Sequence, residues 1–191
     1  VSGVPGKYIL GLLGISLIGC IILVSFKPYL MERVKTFVNP SQNSSGSSYQ
    51  LQQSLIAIGS GGVFGRGLGQ SIQKFNYLPE PQGDSIFAVL GEELGFIGTS
   101  AIILIYLAFA LRGYKIAYRA PDSFSKLLVI GIITMITAQS FMNIASIIGV
   151  FPLTGVPLVF ISHGGTALLL SLGMMGIVLN ISRQASKTKP A

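Results

Sequence analysis

Residues 127–182 contain no Asp, Glu, Lys or Arg. Soluble domains are about a quarter charged, whereas this chain is 10% charged and 50% hydrophobic, with its apolar residues gathered into long runs. A bilayer crossing needs about 20 apolar residues, so the uncharged stretch is too long for one span. Pro152, Gly155 and Pro157 interrupt it, which predicts two helices, 127–149 and 156–180. Two further runs, 7–26 and 84–111, read the same way. The expected fold is all-α: a polytopic helical membrane protein with four transmembrane helices. A long loop, 27–83, separates the first two, a short loop, 112–126, follows the second, and 181–191 form a tail.

The formal net charge is +7, which in a soluble chain would suggest nucleic acid. Here the cations stand at the ends of apolar runs, where they anchor helices at the membrane surface. The bilayer is therefore the expected partner, and nucleic acid is not. If four helices cross, Lys7, the 112–126 loop and the tail share one side. Their basic residues make that side cytoplasmic and leave 27–83 extracytoplasmic. The chain opens at Val1 with no initiator Met and no signal-peptide pattern, and reads as a piece of a longer protein.

A loop of 27–83 is unusual for a compact domain and points to function. Residues 29–38 mix Glu32, Arg33 and Lys35 with apolar residues and predict a short interfacial helix. Residues 40–48 are rich in Ser, Asn and Gly and predict a flexible link. Residues 49–58 place Leu51, Leu55 and Ile58 at helical spacing, a second interfacial helix. The loop ends in the stretch 77–98, which holds four of the six acidic residues: Glu80, Asp84, Glu92 and Glu93. Carboxylates at a water–lipid border are costly unless hydrated, paired or used.

Several residues carry candidate chemistry. Asp84 follows Gly83 and opens an apolar run, so it suits a helix cap or a general base; the residues alone leave both open. Gly65-Arg66-Gly67-Leu68-Gly69 lacks the strand–turn–helix setting of a dinucleotide fingerprint. It reads either as a loop lying on the membrane or as a cluster of backbone N–H groups that, with Arg66 and Lys74, attracts a phosphate head group. Gln139, Asn143 and Ser146 share one helix face, suited to gluing helices together or to lining a substrate path. His163 falls inside the expected last helix as a packing hydrogen bonder. One His and one Cys give no metal-ligand pattern.

Three blocks carry a resemblance. They are Tyr49-Gln50-Leu51-Gln52-Gln53-Ser54-Leu55, then Gln70-Ser71-Ile72-Gln73-Lys74 leading through Tyr77-Leu78-Pro79-Glu80 into Asp84-Ser85-Ile86-Phe87-Ala88-Val89-Leu90-Gly91-Glu92-Glu93-Leu94-Gly95, and Gly155-Val156-Pro157 with Ser162-His163-Gly164-Gly165-Thr166. In order and spacing they resemble the SEDS family, the FtsW/RodA/SpoVE proteins of bacterial cell growth and division. The 70–74 block is nearer the FtsW branch. The resemblance implies a ten-helix protein of the bacterial inner membrane, of which this chain is the C-terminal part. It implies a glycosyltransferase that polymerises lipid II, the undecaprenyl-pyrophosphate-linked disaccharide peptide, with inversion. Partners would be a class B penicillin-binding protein transpeptidase and other divisome or elongasome proteins. The family's catalytic Asp falls on Asp84. Arg66, Lys74, Glu80, Gln139 and Asn143 are the candidate substrate-binding residues. No cofactor is implied with certainty, and a divalent cation stays open. Many members have Thr at Gly83, Phe at Ser85 and Tyr at His163. A flippase of lipid-linked precursors is the alternative. The isolated piece is expected to be inactive.

Overall fold

The computed structural model describes residues 5–38 and 46–187. Residues 40–45 of the expected link and 188–191 of the tail lie outside them. In chain order the helices are α1 (Gly6–Phe26), α2 (Pro28–Val38), α3 (Ser47–Gly61), α4 (Gln73–Asn76), α5 (Ile86–Tyr118), α6 (Ser123–Ile147) and α7 (Gly165–Lys187). Among the described residues there is no strand. Four helices are long and apolar enough to cross a membrane: α1, α5, α6 and residues Gly165–Ala185 of α7. The polytopic helical architecture is as expected.

The helix ends follow local chemistry. The backbone N–H of Lys27 closes α1 onto Leu23 O at 3.0 Å, and Pro28 opens α2 at the first helical position, where its missing N–H costs nothing. Asp122 caps α6 by accepting from Ser125 N at 2.8 Å. The third membrane helix therefore begins at Ser123, ahead of the expected 127, and takes in Lys126. It ends in a Schellman motif: Val150 N donates to Ala145 O at 2.9 Å and Gly149 N to Ser146 O at 3.2 Å, with Gly149 at φ 76°.

Four further expectations change. Ser85, not Asp84, stands at the N-cap of α5, and no side chain caps that end; Asp84 Oδ1 and Ser85 Oγ bond to Gln50 instead. The helix runs on to Tyr118, beyond the expected 111. The last helix starts at Gly165 rather than 156. Residues 156–164 are held out of helix by Pro157, by Gly155 and Phe160 at positive φ, and by a turn in which Ser162 N donates to Leu158 O at 2.9 Å while Leu158 N donates to Ser162 Oγ at 2.8 Å. His163 thus lies in an exposed turn and not inside a helix; its N–H donates to Gln82 O at 2.7 Å.

α5 is the hub, with α3, α6 and α7 packed on it. One apolar core joins Leu51 and Ala57 of α3 to Phe87, Ala88 and Tyr106 of α5, Ile144 and Ile147 of α6, and Leu153 and Leu158 beyond it. A second joins Ala110 and Ala117 of α5 to Ile133 and Ile136 of α6 and Val178 and Ile181 of α7. Tyr106, buried between the two, donates its hydroxyl to Val159 O.

Candidate functional site

The site forms where α3 lies on the start of α5. Along α3 the small or polar residues Gln50, Ser54, Ala57 and Gly61 recur at helical spacing, and the last three are buried. They let α3 approach α5 so closely that a Cβ on Gly61 would fall 2.0 Å from Gly91 O. That register brings Gln50 to the loop before α5. Its Nε2 donates to Asp84 Oδ1 at 3.1 Å and to Ser85 Oγ at 2.9 Å, and Ser85 Oγ lies 3.4 Å from the same Oδ1. Oδ2 of the half-buried Asp84 receives no hydrogen bond from the described residues.

Asp84 is also fixed through its backbone. Asn143 Nδ2, on α6, donates to Asp84 O at 2.7 Å and to Val156 O at 2.8 Å. Gln139 Nε2 donates to Pro157 O at 3.2 Å, and Ser146 Oγ to Asn143 O at 2.9 Å. The polar face of α6 therefore ties the 156–157 strap and the Asp84 loop to one helix. From α2, Arg33 Nη1 holds Leu153 O at 2.6 Å on the same strap. Glu80 is exposed and adopts φ 48°, rare for a residue with a side chain; its carbonyl accepts from Gly83 N and Ser85 N.

Arg66 and Lys74 sit on a second structure, built around a break in α5. Gly95 has φ 66° and ψ −165°, a conformation open essentially only to glycine. The freed carbonyls of Glu92 and Glu93 accept from Arg66 N and Gly67 N, both at 3.0 Å. Phe96 N and Ile97 N donate to Gly62 O and Val63 O at 2.9 and 3.2 Å. The glycine-rich segment is thus inserted into the helix break, and two of its N–H groups are spent there and not on a phosphate cradle. The two carboxylates clamp the rest. Buried Glu92 accepts from Ser71 Oγ at 2.6 Å, Ile72 N at 3.1 Å and Gln73 N at 3.2 Å, and pairs with Arg66 at 3.4 Å. Glu93 pairs with Lys74 at 2.6 Å. Arg66 keeps 38% of its side chain exposed and Lys74 24%.

The structure therefore brings Asp84 and Asn143 together, with Gln139 one helical turn away. It sets Arg66 and Lys74 apart from them, about 10 Å along α5 if Ser85 to Glu92 is taken as seven residues of helix. Gln50 and Arg33 were not singled out from the sequence. Gln50 could have been found as the polar member of the small-residue stripe facing α5. Arg33 carried no local signal, because its partner lies in a distant strap. A cavity of about 360 Å3 lies between α2 and α3, lined in part by Tyr29, Glu32, Arg33, Tyr49, Gln50 and Pro79. Among the described residues no three His, Cys, Asp or Glu converge on one point.

The model of the FtsW/RodA/SpoVE cell cycle proteins matches residues 1–187. Stage V sporulation protein E of Bacillus subtilis (strain 168) is 49% identical over 91% of this chain and 47% of its own length. The probable peptidoglycan glycosyltransferases FtsW of Geobacter sp. (strain M18) and of Bacillus subtilis (strain 168) are 41% and 43% identical, each over 95% of this chain and 49% and 47% of their own. A chain from a solved structure, described as structural coordination of polymerization and crosslinking by a peptidoglycan synthase complex, matches with a TM-score of 0.71 at 25% identity, over 96% of this chain and 51% of that one. The chain spans about half the length of the curated relatives it matches. It is an integral membrane protein, and it belongs to the FtsW/RodA/SpoVE family of cell cycle proteins.

Proposed function

We propose that this chain is the base-bearing part of a peptidoglycan glycosyltransferase that polymerises lipid II into β-1,4 glycan with inversion. The observation that carries the reading is the state of Asp84. One carboxylate oxygen is held by Gln50 and Ser85, the backbone by Asn143, and the other oxygen is left open. A base needs that arrangement: fixed orientation and a free lone pair within reach of a hydroxyl. In the proposed step Oδ2 takes the proton of the acceptor's 4-hydroxyl. The oxygen bonds to the donor's anomeric carbon as the bond to the lipid diphosphate breaks, and the proton then passes to water. Arg66, whose pairing to Glu92 is loose and whose side chain is partly exposed, offsets charge on the departing diphosphate. Lys74, tightly paired, holds the loop that presents Arg66. Glu80 is an exposed polar group on the loop leading into Asp84, while Gln139 and Asn143 act through the backbone they grip. Residues 27–83 would face outward, and a class B penicillin-binding protein would crosslink the product.

The test is Asp84→Asn in the full-length protein, reconstituted with lipid II and read by glycan ladders on gels. No polymer is expected, with helical content and thermal unfolding unchanged. Polymer at the wild-type rate would overturn the assignment. The flippase alternative predicts leaflet exchange of labelled lipid II without ladders. The commitment of the Gln139 and Asn143 amide N–H groups to backbone carbonyls weighs against it, since a transport path needs such donors free.

A further inference from the structure

Gln50 lines the cavity between α2 and α3 and also donates to Asp84 Oδ1 at 3.1 Å, so it links the two. We propose that it is a saccharide subsite, occupied by the sugar whose hydroxyl Asp84 deprotonates; this rests on the glycosyltransferase reading. Its volume of about 360 Å3 falls at the small end of ligand sites, suited to a sugar unit and not to a lipid chain. Its walls mix two kinds of surface. Tyr29, Tyr49 and Pro79 present apolar faces of the sort that meet the C–H face of a pyranose, while Glu32, Arg33 and Gln50 offer hydrogen-bonding groups for hydroxyls. The one carboxylate and one guanidinium balance, so neither an anion nor a cation is selected.

The polar groups are also set in place. Arg33 is pinned through Nη1 to Leu153 O at 2.6 Å, and its guanidinium lies 4.4 Å from the centre of the Tyr29 ring. Gly155, at φ +70°, backs the guanidinium so closely that a Cβ there would stand 3.2 Å from Nη2. Gly46, at φ +68°, leaves the same room for Glu32, with a Cβ 3.0 Å from Oε1. Arg33 Nε is buried with no partner among the described residues, and a buried donor left unpaired is costly. Both Nε2 bonds of Gln50 are already given to Asp84 and Ser85, so a sugar touching Gln50 is one residue from the base.

The experiment is saturation-transfer NMR on the full-length protein in lipid nanodiscs, with N,N′-diacetylchitobiose as the probe because it has neither lipid nor phosphate. Saturating tyrosine ring protons should transfer to the sugar C–H protons. Tyr29→Leu and Glu32→Gln should each weaken binding about tenfold, read from the concentration dependence of that transfer. Neither residue holds the strap, and thermal unfolding checks that both variants fold. Binding unchanged in both variants, or displacement of the sugar by millimolar inorganic phosphate, overturns the proposal. Asp84→Asn separates the two readings. If it still polymerises while Tyr29→Leu weakens sugar binding, the base assignment falls and the subsite stands. If it is inactive while Tyr29→Leu binds normally, the subsite falls alone.

Discussion

Replacing Gly95 by alanine tests whether the break in α5 is what holds the glycine-rich segment. The conformation at φ 66°, ψ −165° costs a residue with a side chain about 1–3 kcal/mol. The new Cβ would also lie 2.3 Å from Gly65 N, 2.7 Å from Val63 O and 2.8 Å from the Phe64 carbonyl carbon. All three are main-chain atoms, so no rotamer change relieves the contact. The segment must move out, which strains the four backbone bonds that bridge the gap, Arg66 to Glu92, Gly67 to Glu93, Phe96 to Gly62 and Ile97 to Val63. Losing half of them at about 1 kcal/mol each brings the total to about 3–5 kcal/mol, a large share of a typical stability of about 5–15 kcal/mol. Gly131→Ala is the control: that glycine is helical and open space surrounds its Cβ position, so the change should be neutral or stabilise by up to about 1 kcal/mol. The assay is reversible unfolding in mixed micelles, followed by circular dichroism, with hydrogen exchange at the amides of Arg66, Gly67, Phe96 and Ile97. If Gly95→Ala unfolds within about 1 kcal/mol of Gly131→Ala and those four amides stay protected, the helix break is not the fastening.

Asn143→Leu removes both bonds that hold Asp84 O and Val156 O; a stability loss of about 1–3 kcal/mol and at least a tenfold drop in polymerisation are expected, and normal rates in a ladder assay would discount the brace. Ser71→Ala takes the 2.6 Å donor from buried Glu92 and should cost about 1–3 kcal/mol. Adding Glu92→Gln should then cost less than its effect alone, a coupling that a double-mutant cycle measures. The Ser125 N–H, followed by the Ser125 hydroxyl, holds the Asp122 carboxyl below its ordinary value. Because the folded value is the lower one, the cap's contribution is full above the unfolded value of about 3.9 and is lost as pH falls through the folded value. Protection of the amides at the start of α6, taken relative to intrinsic exchange at each pH, should fall below about pH 4 in the wild type but not in Asp122→Asn, and a pH-independent difference would contradict this. Gly61→Ala, whose Cβ would meet Gly91 O at 2.0 Å, should lower polymerisation through the Gln50–Asp84 distance although it is remote from the carboxylate. Full activity with unchanged packing would remove that link.

The membrane helices were legible because hydropathy and charge act over many residues and need no knowledge of neighbours. The glycine ending α6 is equally local, whereas Asp122, which caps that helix, was passed over and the helix was expected only from 127. The helix break at Gly95 was not legible: residues 84–111 read as one run because nothing in the hydropathy of Leu94-Gly95-Phe96 marks a residue whose carbonyl neighbours will pair with a segment some thirty positions earlier. The role of His163 was misplaced for a related reason. An uncharged stretch reads as helix until the hydrogen bonds that compete with helix are known, and here they come from Gln82 and Ser162. Arg33 and Gln50 were missed because their meaning lies wholly in partners distant in sequence.

The carboxylates on and beside α5 share one border yet reach different ends, and the glycine contacts explain how. Glu92 and Glu93 stand on the turn just before the break, where the inserted segment supplies N–H groups and cations at once. A charge there is stabilised by being consumed. Asp84 stands before the helix begins, beyond the reach of that segment; α6 holds its backbone through Asn143 and α3 meets its carboxylate through Gln50. What α3 delivers is set by the Gly61–Gly91 contact: a larger residue at either position would lift the helix, and Gln50 with it. One amide then reaches one oxygen, which is enough to orient the carboxylate and too little to satisfy it. Asp84 is thus left with an unused oxygen at the edge of a membrane-crossing helix, and the same close approach that packs α3 on α5 is what brings Gln50 to the other oxygen.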